Sequence, residues 1–191
     1  MKKYFVLVIL VIAAGAAGFF WTKNNWQSKI LGEKDKVDST DQVQPTIKPA
    51  PNFPTIIGNF LVTDKEVCLE NDKPIVYFFG SSSCPHCVWE KPIVQKVFGE
   101  FKNEISYHEN FDNGADSEVF NQYSDINPGY VPFLVLGCKY ARVGAGEQLG
   151  ATDEESQKLE KEALTSILCK LTDGKPENIC RQVKDKMEEI K

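Results

Sequence analysis

Two cysteines lie three positions apart in the segment Cys84-Pro85-His86-Cys87, a spacing that suits thiol–disulfide chemistry. The proline after Cys84 predicts that a helix begins there, because proline is favoured in the first helical turn. Unpaired backbone N–H groups and the helix dipole then favour a thiolate at Cys84, and His86 adds another donor. We therefore expect Cys84 to be the attacking thiol and Cys87, on the same turn, to be the resolving thiol. A stabilised thiolate would make their disulfide a good oxidant.

Two other uses of this cysteine pair are possible. A zinc site needs two more ligands, usually a second Cys-x-x-Cys or a pair of histidines. The only other histidine is His108, and the remaining cysteines are isolated in the sequence. A purely structural disulfide is also disfavoured, because so short a ring restricts the unfolded chain very little. We expect neither a metal ion nor a cofactor.

The segments around the cysteine pair indicate one α/β domain. The continuous apolar run Ile75–Phe79 predicts a strand buried on both faces, which Gly80 and three serines end just before Cys84. Apolar side chains then recur at helical spacing and predict a helix. Similar patterns predict a strand at Ile105–Glu109, a helix at Ser117–Tyr123 and two antiparallel strands at Val131–Gly137 and Lys139–Val143.

Helix-start and helix-stop residues predict three further helices. Thr63 and Thr152 are each followed three residues later by glutamate, as in a capping box. The first box predicts a short helix at 64–70, and the second opens a long helix. Gly174 ends that long helix, and Pro176 begins a last one.

The segment Phe78–Cys87 resembles the active-site strand and turn of the thioredoxin superfamily. Pro92 matches the proline that kinks the active-site helix in that family, and Tyr130-Val131-Pro132 resembles its cis-proline loop. The order of predicted elements matches across about residues 60–171. The resemblance implies a thioredoxin-like fold, with a central mixed sheet flanked by helices. It also implies that the Tyr130-Val131-Pro132 loop faces the cysteines and holds the substrate as an extended strand.

The residues between the cysteines, and Val131 before the loop proline, are similar to the DsbA-like disulfide oxidases of the bacterial periplasm. The chain departs from them in two places. The stretch between Cys87 and Pro132 is too short for the helical domain that those enzymes insert, and Phe78 occupies the position of their buried acid. Glu90 either substitutes for that acid as a proton relay or is a solvated carboxylate on the helix face, which is the simpler interpretation.

The other four cysteines suggest two structural disulfides. The resemblance implies that Cys68 and Cys138 lie together at the end of the sheet away from the redox pair, where they would form a bridge. Cys169 and Cys180 flank the turn between the last two predicted helices, and a bridge there would hold the last helix in place. In a competing interpretation, one of these pairs relays electrons to Cys84 and Cys87.

Residues 1–22 look like a membrane anchor. Residues 4–21 carry no charge, and at about 1.5 Å per residue such a helix spans roughly 27 Å, close to the hydrocarbon thickness of a bilayer. A cleaved signal peptide is the alternative. The polar, proline-containing residues 23–55 predict an extended linker, which leaves 56–191 as the thioredoxin-like domain. Paired cysteines need an oxidising space, so we expect this domain outside the cytoplasm, on the periplasmic or extracellular side.

The formal net charge of −5 provides no basic surface for nucleic-acid binding. We expect a monomeric, membrane-attached thiol–disulfide oxidoreductase that oxidises the thiols of exported proteins. A membrane partner, a quinone-linked oxidase, would reoxidise it. A reductase of the same fold, serving cytochrome maturation or disulfide repair, is the first alternative, because direction depends on redox potential. A non-catalytic binding module is the second.

Overall fold

The computed structural model describes residues 52–190, in which one sheet carries helices on both faces. The strands are β1 (Leu61–Val62), β2 (Leu69–Glu70), β3 (Lys73–Gly80), β4 (Ser106–Phe111), β5 (Phe133–Leu136) and β6 (Tyr140–Val143). The helices are α1 (Pro85–Glu100), α2 (Ser117–Asn121), α3 (Asp153–Leu171), α4 (Glu177–Cys180) and α5 (Lys184–Glu189). Short 3-10 turns lie at Ile57–Asn59 and Arg181–Val183.

Strand β3 is central because it pairs with three other strands. It runs parallel to β4, antiparallel to β5, and antiparallel to the short β2 at its start. Strand β6 pairs antiparallel with β5, and β1 pairs antiparallel with β6. The sheet is therefore mixed and the β5–β6 hairpin is antiparallel, as the sequence predicts.

The core lies in two layers because successive strand side chains point to opposite faces. On β3, Val76 and Phe78 belong to the layer under α1 and α3, whereas Tyr77 and Phe79 belong to the layer under α2. All four side chains are buried, so this strand is covered on both faces, as its unbroken apolar sequence predicts.

Helix α3 begins and ends where its sequence signals predict. The Thr152 hydroxyl accepts a hydrogen bond from the Glu155 backbone N–H at 3.2 Å. The Glu155 carboxylate in turn accepts one from the Ala151 N–H at 2.8 Å. At the other end, Gly174 adopts φ 78°, and its N–H donates to the Cys169 carbonyl at 2.8 Å. Glycine suits this position because residues with a side chain rarely adopt a positive φ.

Two helix predictions are wrong. No helix forms at 64–70, where β2 occupies the last two positions. The Thr63 hydroxyl donates to the Cys138 carbonyl at 3.1 Å and accepts from the Lys65 N–H, so it fastens this segment to the hairpin turn. The predicted single last helix is instead divided into α4, a 3-10 turn and α5. Its apolar side chains nevertheless pack against the core as the spacing predicts; they are Ile179, Val183 and Met187.

Two disulfides join the elements at a distance from the free cysteines. Cys68 is bonded to Cys138 in the tight β5–β6 turn, where Gly137 and Cys138 both adopt positive φ. Cys169 on α3 is bonded to Cys180 on α4. These are the two pairings that the sequence analysis expects.

The predicted membrane anchor at 1–22 and most of the linker at 23–55 lie outside the described residues. At the end of that linker, the Pro54 carbonyl accepts from the Val62 N–H at 2.8 Å, and Thr55 bridges to Leu61. The folded domain thus includes residues just before position 56. Within residues 52–190, no helix is both long and apolar enough to cross a membrane.

Candidate active site

Cys84 and Cys87 are the two free cysteines among the described residues. Cys84 is the N-cap residue of α1, and its sulfur accepts a hydrogen bond from the Cys87 N–H at 3.2 Å. The Cys84 thiol also donates to the Val131 carbonyl oxygen at 3.6 Å. Cys84 is partly exposed, whereas Cys87 is fully buried. An incoming reagent therefore meets Cys84 before Cys87.

Burial separates the two thiols electrostatically as well. Desolvation, together with the hydrogen bond to Cys84, raises the pKa of the Cys87 thiol to about 12. A neutral Cys87 is therefore the stable form of the reduced pair at physiological pH. A thiolate at this position is unfavourable unless it takes up a proton.

The turn before Cys84 is held by a residue that the sequence analysis does not identify. The Asp112 carboxylate accepts from the Ser81 hydroxyl at 2.8 Å and from the Ser82 N–H at 2.9 Å. These hydrogen bonds keep the pKa of Asp112 below its ordinary value. The Ser81 carbonyl then accepts from the Cys84 N–H. Asp112 directly follows β4, beside the end of β3, and its role could be found only once β3 and β4 are known to be parallel neighbours.

The loop before β5 lies beside Cys84, as the sequence analysis expects. Its peptide bond between Val131 and Pro132 is cis. Asn127 is buried, and its side-chain oxygen accepts from the Tyr130 N–H at 2.7 Å while its amide group donates to the Tyr130 carbonyl at 2.9 Å. The Tyr130 side chain remains 65% exposed. The aromatic ring of Tyr130 is thus exposed to solvent, while Asn127 holds both the N–H and the carbonyl group of its backbone.

Glu90 is fully buried, so its interpretation as a solvated helix-face carboxylate is wrong. It lies three residues after Cys87 on α1, and that spacing places both side chains on one face of the helix. One Glu90 oxygen accepts from the Arg142 guanidinium at 2.9 Å, and the other accepts from the Gly146 N–H at 3.0 Å. Arg142 also binds both oxygens of the buried Glu160, at 2.6 and 2.7 Å.

The Arg142 guanidinium therefore forms ion pairs with two buried carboxylates, those of Glu90 and Glu160. Desolvation raises the pKa of Glu90 to about 8, because the attraction of Arg142 is partly offset by the repulsion of Glu160. At neutral pH this cluster retains a proton on the same helix face as Cys87. The sequence shows three ordinary charged residues far apart, and only their common burial reveals the cluster.

His86, between the two free cysteines, has a partner that no local sequence pattern indicates. Its Nδ1 lies 2.5 Å from a carboxylate oxygen of Glu147. Glu147 follows Gly146, whose N–H binds Glu90. The chain segment after β6 thus contacts both the Cys84–Cys87 segment and the buried cluster. No local pattern marks Glu147, because the contact depends on the path of a loop.

His108 on β4 belongs to a second cluster of titratable side chains. It lies between two carboxylates, 3.1 Å from Glu70 and 3.2 Å from Asp116. Its ring packs against Tyr77 on β3. Across residues 52–190, no group of three or more His, Cys, Asp or Glu side chains is arranged to hold a metal ion.

No protein-family model matches this chain, and searches of curated proteins and of solved structures find no significant match.

Proposed function

We propose that this protein exchanges thiols and disulfides through Cys84 and Cys87, and that it oxidises the thiols of exported proteins. The observation that carries the proposal is the division of its six cysteines. Four are paired in two disulfides, and the two that remain free lie at the start of one helix with one sulfur accessible. The resemblance to the thioredoxin superfamily and the position of the Val131 carbonyl near Cys84 support the same reading.

The reaction begins with the Cys84–Cys87 disulfide. A substrate thiolate attacks the Cys84 sulfur, a new bond forms between the two sulfurs, and Cys87 leaves with the electron pair. A second thiolate of the substrate then attacks the substrate sulfur of this mixed disulfide. The substrate disulfide forms, Cys84 leaves as a thiolate, and two electrons have passed from substrate to enzyme. The start of α1 stabilises the leaving Cys84 thiolate through its backbone N–H groups.

Glu90 acts as the proton relay in this proposal. The Cys87 thiolate is buried and takes up a proton readily, because its pKa is raised to about 12. The Glu90 carboxyl, whose pKa is about 8, holds a proton at neutral pH and lies on the same helix face. Transfer of that proton leaves a Glu90 carboxylate that the Arg142 guanidinium stabilises at 2.9 Å. Solvent later restores the proton.

The substrate lies along the loop before β5 as an extended strand, with Tyr130, Val131 and Pro132 as its contacts. The two disulfides favour an oxidising compartment, so we place the domain outside the cytoplasm. Attachment through residues 4–21 would keep it near the membrane partner that reoxidises it, at a high effective concentration.

The redox equilibrium of the Cys84–Cys87 pair with glutathione tests this function and its direction. We expect the pair to equilibrate with glutathione at a potential well above about −250 mV, and the full chain to accelerate the oxidative refolding of a reduced protein. A potential below that value would favour the reductase. The Cys84→Ser variant should lose all activity. If the wild-type chain neither refolds a reduced protein nor reduces insulin, the proposal is wrong.

The Glu90→Gln variant tests the relay. It retains the shape of the side chain and one acceptor oxygen, with an amide donor in place of the other oxygen, but carries no transferable carboxyl proton. We expect the release of Cys87 from the disulfide to slow by about tenfold or more at pH 7. Glu100→Gln, an exposed change on the same helix, is the matched control and should leave the rate unchanged. Equal rates in all three proteins would exclude the relay.

A further inference from the structure

A cavity of about 200 Å³ opens beside the loop that carries Val131. It lies between the end of β3, the end of β4 and helix α2. Its walls include Phe79, Phe120 and Val131. Neither disulfide, nor the buried Arg142 cluster, lines this cavity. An engineered cavity of about 150 Å³ is large enough to hold benzene, so this one has room for a single large side chain.

The chemistry of the walls determines which side chain fits. None of the nine residues that line the cavity carries an ionisable side chain. Two of its amides are already engaged within the protein: Asn110 binds the side chain and the backbone of Asp116, and Asn113 accepts from the Ala115 N–H. With those polar groups in use and aromatic rings on the wall, the cavity suits an apolar side chain.

Val131 connects the cavity to the reactive sulfur. This residue lines the cavity, and its carbonyl oxygen lies 3.6 Å from the Cys84 sulfur. In an extended peptide, side chains two positions apart point to the same face and lie roughly 7 Å from each other. A peptide whose cysteine has reached Cys84 can therefore direct the side chain two positions away into the cavity.

The exposed apolar side chains near Cys84 support the same use. Tyr130 and Val88 are large hydrophobic residues that remain 65% and 53% exposed. Both lie next to a residue of the proposed reaction site, and the backbone of Tyr130 is held by the buried Asn127. A rigidly presented aromatic residue beside a cavity is typical of a peptide-binding surface.

We infer that the cavity formed by Phe79, Phe120 and Val131 is a specificity subsite. It binds a leucine- or phenylalanine-sized side chain two positions from the reactive cysteine of an unfolded substrate. This inference rests on the proposed function and adds the substrate class: cysteines in apolar segments, which are exposed before a protein folds.

Single-cysteine peptides provide the test. The Cys87→Ala variant of the full chain retains Cys84 and cannot resolve a mixed disulfide, so the equilibrium between each peptide and Cys84 can be measured. The peptides carry Leu, Ala or Glu two positions before or two positions after the cysteine. In one of these two positions we expect Leu to favour the mixed disulfide about tenfold over Ala, with Glu weakest.

A substitution that fills the cavity identifies the site. Ser117 is exposed on the cavity lining, so Ser117→Leu should place an apolar side chain inside it. We expect the Leu preference to fall within about twofold, while exchange with glutathione stays at the wild-type rate. The matched control is Ser124→Leu, an exposed serine outside the cavity, which should retain the full preference. Phe120→Ala enlarges the same cavity and should shift the preference from Leu towards Phe.

The outcomes separate the two proposals. If Cys84 exchanges with neither glutathione nor any peptide, the proposed function fails. If it exchanges with all peptides equally, the function stands and the subsite inference is overturned. A Leu preference that survives in the Ser117→Leu variant would overturn it too, because the preference would then arise elsewhere.

Discussion

Two regions of this molecule each place one basic side chain between two carboxylates. In the first, Arg142 lies between Glu90 and Glu160 under the α1–α3 face of the sheet. In the second, His108 on β4 lies between Glu70 and Asp116. We call them the arginine cluster and the histidine cluster.

The two clusters differ mainly in burial. Arg142 is 4% exposed and its two glutamates are fully buried. In the histidine cluster, the exposed fraction of the side chains is 27% for His108, 42% for Glu70 and 23% for Asp116. Water therefore screens the charges of the histidine cluster, but protein groups alone must neutralise those of the arginine cluster.

This difference determines which group holds the extra proton. In the arginine cluster, desolvation by burial raises the pKa of Glu90; the Arg142 charge opposes this rise, and the repulsion of Glu160 adds to it. In the histidine cluster, hydrogen bonds from Ser106 and His108 lower the pKa of Glu70 instead. Burial alone would lower the pKa of His108, but the hydrogen bonds to Glu70 and Asp116 raise it overall, which favours the protonated imidazole. Similar compositions thus favour proton uptake by an acid in one cluster and by a base in the other.

Removal of the central base should show the largest contrast. Arg142→Met leaves Glu90 and Glu160 buried without a cation, and we expect the free energy of unfolding to fall by about 3–5 kcal/mol at pH 7. Urea unfolding at pH 7 measures it.

A charge-free version of the arginine cluster serves as the control. Arg142→Met combined with Glu90→Gln and Glu160→Gln leaves no ionisable group in the cluster, so most of the stability should return. The single variant could fail to fold, in which case the triple variant alone decides the matter. A triple variant no more stable than Arg142→Met would contradict the view that unpaired charge causes the loss.

The pH dependence of stability should next distinguish Glu90 from an ordinary acid. The folded pKa of about 8 lies above the value of about 4.3 in an unfolded chain. The stabilising contribution is therefore complete below about pH 4 and is lost as the pH rises towards 8. Glu90→Gln removes this loss, so its unfolding free energy should fall less steeply, by up to about 1.4 kcal/mol per pH unit.

This measurement needs a background without thiol exchange. Cys84→Ser together with Cys87→Ala removes the free thiols, and both disulfides remain. Urea midpoints at pH 5, 6.5 and 8 then compare Glu90, Glu90→Gln and the exposed control Glu100→Gln. Parallel pH profiles for all three would show that Glu90 does not hold the extra proton.

The sequence predicts the elements of the site better than its electrostatics. The strand Ile75–Phe79, the helix start at Cys84 and the antiparallel hairpin follow from local patterns that span a few residues, and all three are present. The predicted helix at 64–70 does not form, because a capping box is only a local preference. The Thr63 hydroxyl instead donates to the Cys138 carbonyl, and this tertiary contact outweighs the local helix preference.

The arginine cluster could not be predicted, because its members come from α1, β6 and α3 and each has an ordinary local context. Glu90 is a clear example: a charged residue on a helix suggests solvent exposure, yet this side chain is fully buried. The spacing from Cys87 places Glu90 on the same helix face as that thiol. Burial and the partner Arg142 emerge only when the helices pack on the sheet.

The histidine cluster should show the smallest effect on stability, and its pKa can be measured directly. Because the folded pKa of His108 is raised, its stabilising effect is complete below about pH 6.5 and is lost as the pH rises through the folded value. The side chains are partly solvated, so His108→Gln should lower the free energy of unfolding by about 1 kcal/mol or less, far below the loss for Arg142→Met.

The chain contains two histidines, so NMR titration with His86→Gln as the assignment control yields both pKa values. We expect the His108 resonance to titrate above pH 6.5; titration below that value would mean that burial outweighs the two carboxylates, and the proposed difference between the clusters would disappear.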